Sequence, residues 1–410
     1  MGCLDCEYKL PTQGVTMPET DLRYDPFDPV VQDDPYPVYA DLRATRPVYW
    51  CAPRNCWVLS RYEDVSAALQ DPTTFSSARG IFPAQGFDLA GAFLPMMIMM
   101  DPPRHDLLRR VVAKAFTPRR IALLETSVQQ MAAELTERLV TAGGGDVVRE
   151  LSGPLPAMVI ADLLGVPRED RDQFKAWSTA LVTTDISAPD PMRSNLDAAA
   201  ALYEYFRQFL DERRARPRPD LMSALVTAEV EGRRLSEDEL LGFCLLLLVA
   251  GHETTTNLIS NTIAVLAERP EVIDRLARDR SLLPSAVGEM LRYDSPVQGL
   301  SRTLTRDVLL HDVQMRSGDT VLLLFGSANR DDSAFPDADH FHIDRVVDRQ
   351  LAFGRGIHFC LGAALAQLET RLVFDELLSR THAWRLDTGA APVRLRSGPI
   401  RGYGSLTISI

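Results

Sequence analysis

At 410 residues and 46% hydrophobic content, the chain is long enough to bury a large core. Its net charge of −12 argues against general nucleic-acid binding, and its 6 cysteines (3, 6, 51, 56, 244, 360) match neither a paired secreted framework nor a clustered zinc site. The N-terminus carries no basic-then-apolar leader, and the longest apolar run, Phe243 to Gly251, ends in His252-Glu253, so a soluble, cytoplasmic protein without a membrane anchor is expected.

Residues 1–23 read as an irregular arm, and a single domain is expected over residues 24–410. Cys3 and Cys6 form a C-x-x-C with no second pair nearby. The spacing predicts a short helix over Tyr36 to Ala44. Val48-Tyr49-Trp50 and Trp57-Val58-Leu59 then predict a hairpin around Pro53-Arg54-Asn55. Residues 80–100 hold Ile81, Phe82, Phe87, Phe93, Leu94, Met96, Met97 and Met99, which suit either an adaptable apolar pocket or the core. Asp101-Pro102-Pro103-Arg104-His105 opens a helix on which His105 and Arg109 share a face. From Arg104 to Arg120 run Arg104, Arg109, Arg110, Lys114, Arg119 and Arg120 against one acid, Asp106, a basic island in an acidic chain.

Ser236 with Glu239 three residues later reads as a capping box, and no proline follows until Pro270. At 1.5 Å per residue this gives a helix of roughly 50 Å. Its middle breaks local rules. Ala250-Gly251-His252-Glu253-Thr254-Thr255-Thr256 places a glycine, which costs about 1 kcal/mol relative to alanine, beside threonines that bond back to the preceding turn. A strong helix with such a fault marks a site. A second helix, beginning near Pro284, carries Glu289 and Arg292 at i, i+3. Strands return at Arg302–Leu310, at Thr320–Leu324 and near the C-terminus, so the fold class is mainly α with a small β portion (α+β).

The most specific stretch is Phe353-Gly354-Arg355-Gly356-Ile357-His358-Phe359-Cys360-Leu361-Gly362. One cysteine stands between glycines, ahead of a helix with apolar positions Leu361, Ala364, Leu365, Leu368 and Leu372. Glycines let backbone approach a flat ligand, and a helix N-terminus favours thiolate over thiol. A single thiolate suits a haem iron, whose equatorial positions the porphyrin fills.

This stretch resembles the cysteine loop of the cytochromes P450, the haem-thiolate monooxygenases, matching Phe-Gly-x-Gly-x-His/Arg-x-Cys-x-Gly at every defined position. The resemblance implies that family's fold, with haem b between the long helix and the cysteine loop, Cys360 as axial ligand of the iron, and Phe353 and Gly362 beside the cofactor. It implies that Ala250 and Gly251 lie over the haem, and that Glu253 and Thr254 are the acid–alcohol pair that delivers protons to the co-substrate O2. His252 is expected to turn away as a packing or gating residue. His105, Arg109, Arg302 and His358 become partners of the haem propionates. Glu289, Arg292 and Arg345, from Phe341-His342-Ile343-Asp344-Arg345, become a structural network that locks the cysteine loop. The substrate pocket is expected from Phe82, Phe93, Met97, Val249, Val297 and Gln298, with Arg79 and Arg401 as candidate anchors for an anionic substrate.

The activity implied is a soluble bacterial monooxygenase that inserts one oxygen atom into a small, largely apolar molecule by hydroxylation, epoxidation or dealkylation. Its electrons would come from a ferredoxin, with an NAD(P)H-dependent reductase, docking on the basic island near Arg349 and Arg355. Three alternatives stay open on the sequence: oxidative coupling of substrates, use of hydrogen peroxide, and a haem sensor without turnover.

Overall fold

The computed structural model describes residues 22–83, 95–113, 116–182, 193–218, 220–230 and 232–410. It is mainly helical with a small β portion, as expected. The elements that frame the site are taken in chain order. Helix α1 (Tyr36–Thr45) leads into β1 (Val48–Cys51) and β2 (Cys56–Leu59). These strands pair antiparallel from Val48↔Leu59 to Cys51↔Cys56, and Asn55 closes the turn in a left-handed conformation at φ 48°. Asparagine tolerates that region better than most side chains. Helix α2 (Tyr62–Gln70) and strand β3 (Phe75–Ser76) follow. Then come α3 (Arg104–Ala113), α4 (Pro118–Thr141), α5 (Pro154–Leu164) and α6 (Arg193–Ala215).

The long helix α7 (Glu237–Ala267) has the capping box in full: Glu239 N–H donates to Ser236 Oγ at 3.2 Å, and Ser236 N–H donates to Glu239 Oε2 at 2.9 Å. It is long and apolar enough to cross a membrane by length and composition. Its surroundings make it a core element. Leu240, Leu241, Phe243, Cys244 and Leu248 pack into one apolar cluster with residues of α3, α5 and α6. Ile259, Ile263, Ala264 and Leu266 pack into a second with residues of α4 and the helix that follows Cys360. The junction of these two cores falls on the segment around Ala250.

Helix α8 (Leu283–Tyr293), strands β4 (Leu300–Leu304) and β5 (Thr320–Leu323), and helix α9 (Ala363–Arg380) complete the frame. The main sheet is ordered β1-β2-β5-β4-β3, with β5 parallel to β2 and antiparallel to β4. Arg302 therefore sits on a central strand. Helix α9 buries Leu365 and Leu372 as the spacing predicted, whereas Ala364 is exposed and Glu369 takes an interior position.

Candidate active site

The cysteine loop is built from backbone bonds that glycine makes possible. Cys360 N–H donates to Phe353 O at 2.9 Å, and Gly354 N–H to Leu351 O at 2.8 Å. Gly354 and Gly356 have φ of 68° and 69°, the left-handed region that favours glycine. At Gly356 a Cβ would also stand 2.5 Å from Leu69 O, so the loop can lie against the end of α2 only with glycine there. Gly362 caps α9, and a Cβ there would meet nothing within 4 Å. The Cys360 thiol is pushed up by burial, while a hydrogen bond from Gly362 N–H and the charge of Arg109 pull it down. Arg109 reaches the same loop, donating to Phe359 O at 2.7 Å.

A buried basic cluster surrounds this loop. His105 is 1% exposed, holds Asp106 through Nδ1 at 3.0 Å, and leaves Nε2 without a partner. Its ring lies 4.5 Å from that of His358. His358 Nε2 meets Ser77 Oγ at 3.2 Å, and its pKa is pushed down to about 3 by burial and by the charges of Arg302, His105 and Arg109. Arg302 is buried, donates to Ser301 O at 2.7 Å, and is lowered to about 10 by burial, with Asp101 opposing. Buried cations need anionic partners. The orphaned His105 Nε2 and the sparsely bonded Arg302 guanidinium fit two carboxylates, which are what a haem brings as propionates.

Helix α7 runs unbroken through its faulted segment, with Thr254 Oγ1 donating to Ala250 O at 2.6 Å and Thr256 Oγ1 to His252 O at 2.9 Å. Ala250 and Val249 are exposed in an otherwise largely buried helix, Val249 by 38%. Glu253 is pushed up to about 7 by burial. His252 turns away: it is buried, with Nε2 3.0 Å from Gly153 O.

The glutamate–arginine network is present in full. Arg292 forks onto Glu289 at 2.7 and 2.8 Å, both fully buried, and Arg345 Nε reaches Glu289 Oε1 at 3.2 Å. Arg292 also donates to Asn329 O at 2.8 Å, and Asn329 Oδ1 accepts Leu351 N–H at 2.7 Å. That chain of bonds ends two residues before Phe353, which packs its ring 6.3 Å from Phe359.

A Cβ on Gly251 would stand 3.0 Å from Ile160 Cδ1, so this glycine allows the close approach of α5 to α7. Met97 is 6% exposed and packs in the core shared by α3, α5 and α7. Gln298 is also buried: its amide donates to Ser295 O at 2.7 Å and its side chain fills the space left by Gly326. Arg401 is a buried structural tie, donating to Asp294 at 2.6 Å and to Gln32 O at 3.0 Å. Phe82 is 43% exposed, Val297 half-buried and Arg79 exposed; Phe93 lies outside the described residues. Lys114 and the Arg120 side chain also lie outside them. Arg355 is held by Tyr62 Oη at 3.2 Å and Ser66 Oγ at 2.9 Å, and Arg104 by Glu239 at 3.3 Å, whereas Arg110, Arg119 and Arg349 are exposed.

The sequence reading missed Asp101, Ser77 and Glu369. Asp101 accepts from Ser77 N–H at 3.0 Å and also from Ser76 Oγ, so it braces the segment that touches His358. Its place just before a Pro-Pro pair was the available signal. Glu369 is fully buried with Oε2 unpartnered, and burial pushes it up to about 8.

A thiol in a glycine-built loop, beside a buried Arg302 and a His105 Nε2 without a partner, is what a haem-thiolate protein needs. The family model for cytochrome P450 matches residues 35–392, and the chain belongs to that family. It is 41% identical over 350 residues to cytochrome P450 109 of Bacillus spizizenii, covering 84% of each chain. It is 39% identical to the vitamin D(3) 25-hydroxylase of Pseudonocardia autotrophica, covering 95% of this chain and 96% of that one. Among solved structures, CYP109E1 from Bacillus megaterium in complex with corticosterone matches with a TM-score of 0.85 and 38% identity, over 92% of this chain and 98% of that one. The protein is a cytochrome P450 monooxygenase with haem b as cofactor and O2 as co-substrate.

Proposed function

We propose that this enzyme hydroxylates, epoxidises or dealkylates small, largely apolar molecules in the cytoplasm, with electrons from a ferredoxin and its NAD(P)H-dependent reductase. One observation carries the substrate reading: at the faulted segment α7 exposes an apolar patch, Val249 and Ala250, in an otherwise largely buried helix, and Phe82 is a partly exposed ring in the segment before α3. The relatives support it, since one is named for hydroxylating vitamin D3 and another is in complex with corticosterone.

When bound, the haem supplies the binding and reductive activation of dioxygen. The chain supplies the rest. Cys360 would hold the iron from one side as thiolate, favoured by Gly362 N–H and Arg109. His105, Arg109, Arg302 and His358 would hold the propionates. Glu253, with its pKa near 7, keeps a proton on its carboxyl for much of the time at neutral pH, where an ordinary glutamate keeps almost none. Thr254, with its own proton committed to Ala250 O, presents hydroxyl lone pairs that accept and order a proton source.

For the ferredoxin, the supporting geometry is the join between α3 and the cysteine loop. Arg109 bonds Phe359 O, Phe359 is 45% exposed, and exposed Arg110 follows directly. Local basic charge there can steer an acidic partner despite the net charge, because screening acts over about 8 Å at physiological salt.

The test is turnover with purified ferredoxin, reductase, NAD(P)H and isotopically labelled dioxygen against a panel of steroids, terpenoids and aromatic compounds. One labelled oxygen atom per product molecule supports the reading. Ligand-induced spectral shifts with reductant supplied and no product would make the protein a ligand carrier.

A further inference from the structure

The β1–β2 hairpin places Cys51 and Cys56 directly opposite one another in an antiparallel pair. Opposed residues in such a pair have Cα atoms about 4.5–5.5 Å apart, within the span of about 4.4–6.8 Å that a disulfide bridges. Both residues are fully buried, and directly opposed residues of an antiparallel pair put their side chains on the same face of the sheet. Cys51 Sγ also lies 3.3 Å from Tyr24 O. Inert core packing accounts for the burial of either cysteine, but not for two thiols side by side in register.

The lid over the pair is the segment Tyr24–Phe27. Asp25 receives Arg54 at 2.7 and 2.8 Å, and the same guanidinium covers the Phe27 ring at 4.3 Å. Arg54 lies in the turn between the two cysteines. The ion pair is partly exposed, so it adds little to holding the segment down, whereas Tyr24 is buried in the same core cluster as both cysteines, so peroxide reaches the sulfurs when this segment opens locally.

We propose that Cys51 and Cys56 are a redox-convertible dithiol, closed to a disulfide by hydrogen peroxide. Cys51 is the attacking sulfur: its hydrogen bond from Cys56 lowers its pKa, whereas Cys56 is raised. Its thiolate attacks one peroxide oxygen and the O–O bond breaks, leaving a sulfenic acid and, after protonation, one water. The Cys56 sulfur then displaces that hydroxyl, an S–S bond forms and a second water leaves. Two thiols lose two electrons and two protons, and the peroxide gains both. A cytosolic disulfide of this kind is a transient, reversible mark.

The sequence makes the product easy to read. Trypsin cleaves after Arg54, so Cys51 falls in the peptide Ala44–Arg54 and Cys56 in Asn55–Arg61. The haem-loaded protein is treated with stoichiometric hydrogen peroxide, alkylated under denaturing conditions, and digested without reductant. The proposal expects the two peptides joined, two hydrogens below their summed mass and separable by dithiothreitol, with the haem spectrum retained. Cys56→Ser should leave a sulfenic acid on Cys51 that dimedone traps, and Asp25→Asn, which loosens the lid and keeps the cleavage site at Arg54, should speed closure several-fold. Recovery of both peptides singly with both cysteines alkylated would overturn the proposal, as would Cys51 joined to Cys3 or Cys6 instead. An unchanged closure rate in Asp25→Asn would overturn the lid. The wild-type digest decides the main point even where a variant fails to fold.

Discussion

The imidazoles of His105 and His358 meet edge to face with 4.5 Å between ring centres, although one opens α3 and the other stands two residues before Cys360. Arg302 and Arg109 press the same His358 ring toward its neutral form, and the buried Arg302 charge calls for something negative among them. We expect His105→Ala and Arg302→Ala each to weaken haem retention. At about 1.5–3 kcal/mol for a charge-assisted hydrogen bond, the loss is roughly ten- to a hundredfold. Haem transfer to an excess of apoglobin measures it, and retention equal to the wild type in both variants would remove the propionate assignment.

Proton delivery makes a separate prediction. Thr254→Ala should keep consuming NAD(P)H while releasing much of the reducing power as hydrogen peroxide. Glu253→Gln should slow turnover. Because Glu253 is raised to about 7, the wild-type rate should fall as pH rises through about 7 and the donor loses its proton. The glutamine variant should lack that limb. Product, peroxide and reductant counted together across pH check all three statements.

The buried fork of Arg292 on Glu289 carries the largest stability prediction. Arg292→Ala leaves the buried Glu289 Oε2 without its donor, with Arg345 and His342 N–H reaching only Oε1, and removes the bond to Asn329 O, whose side chain holds Leu351. A loss of about 3–5 kcal/mol is expected, together with failure to take up haem. Denaturant unfolding and the haem-to-protein ratio of the purified variant measure both effects.

Glu369 yields a pH dependence of stability. Its folded-state pKa is raised from 4.5 to about 8, so its contribution is full below about 4.5 and is lost as pH rises through about 8. Glu369→Gln should therefore gain on the wild type in Tm as pH is raised across that window. Parallel melting curves at several pH values check it, and a constant Tm difference would show that the carboxyl does not titrate there.

What was legible in the sequence was local or fixed by chemistry. Ser236 and Glu239 announce the start of α7 because a capping box needs only four consecutive residues. The β1–β2 hairpin follows from two short β-rich runs about one turn. The cysteine loop is legible because backbone at φ near 70° and contact with Leu69 O demand glycine at fixed places. What stayed hidden depends on partners far away in the chain. The contact of Gly251 with Ile160 of α5, and the fit of Gln298 into the space beside Gly326, were not legible for that reason. Arg401 resembles a free cation, yet Asp294 claims it. Glu369 stood in an apolar helical pattern with no neighbouring signal, and only packing reveals its burial.

The most direct measurement is the absorption spectrum of the carbon-monoxide complex of the reduced protein, taken beside Cys360→His. The account predicts the red-shifted thiolate band in the wild type, and in the variant its replacement by a band at shorter wavelength together with loss of oxygenation. A variant that keeps both the red-shifted band and full turnover would contradict the assignment of Cys360 as the ligand.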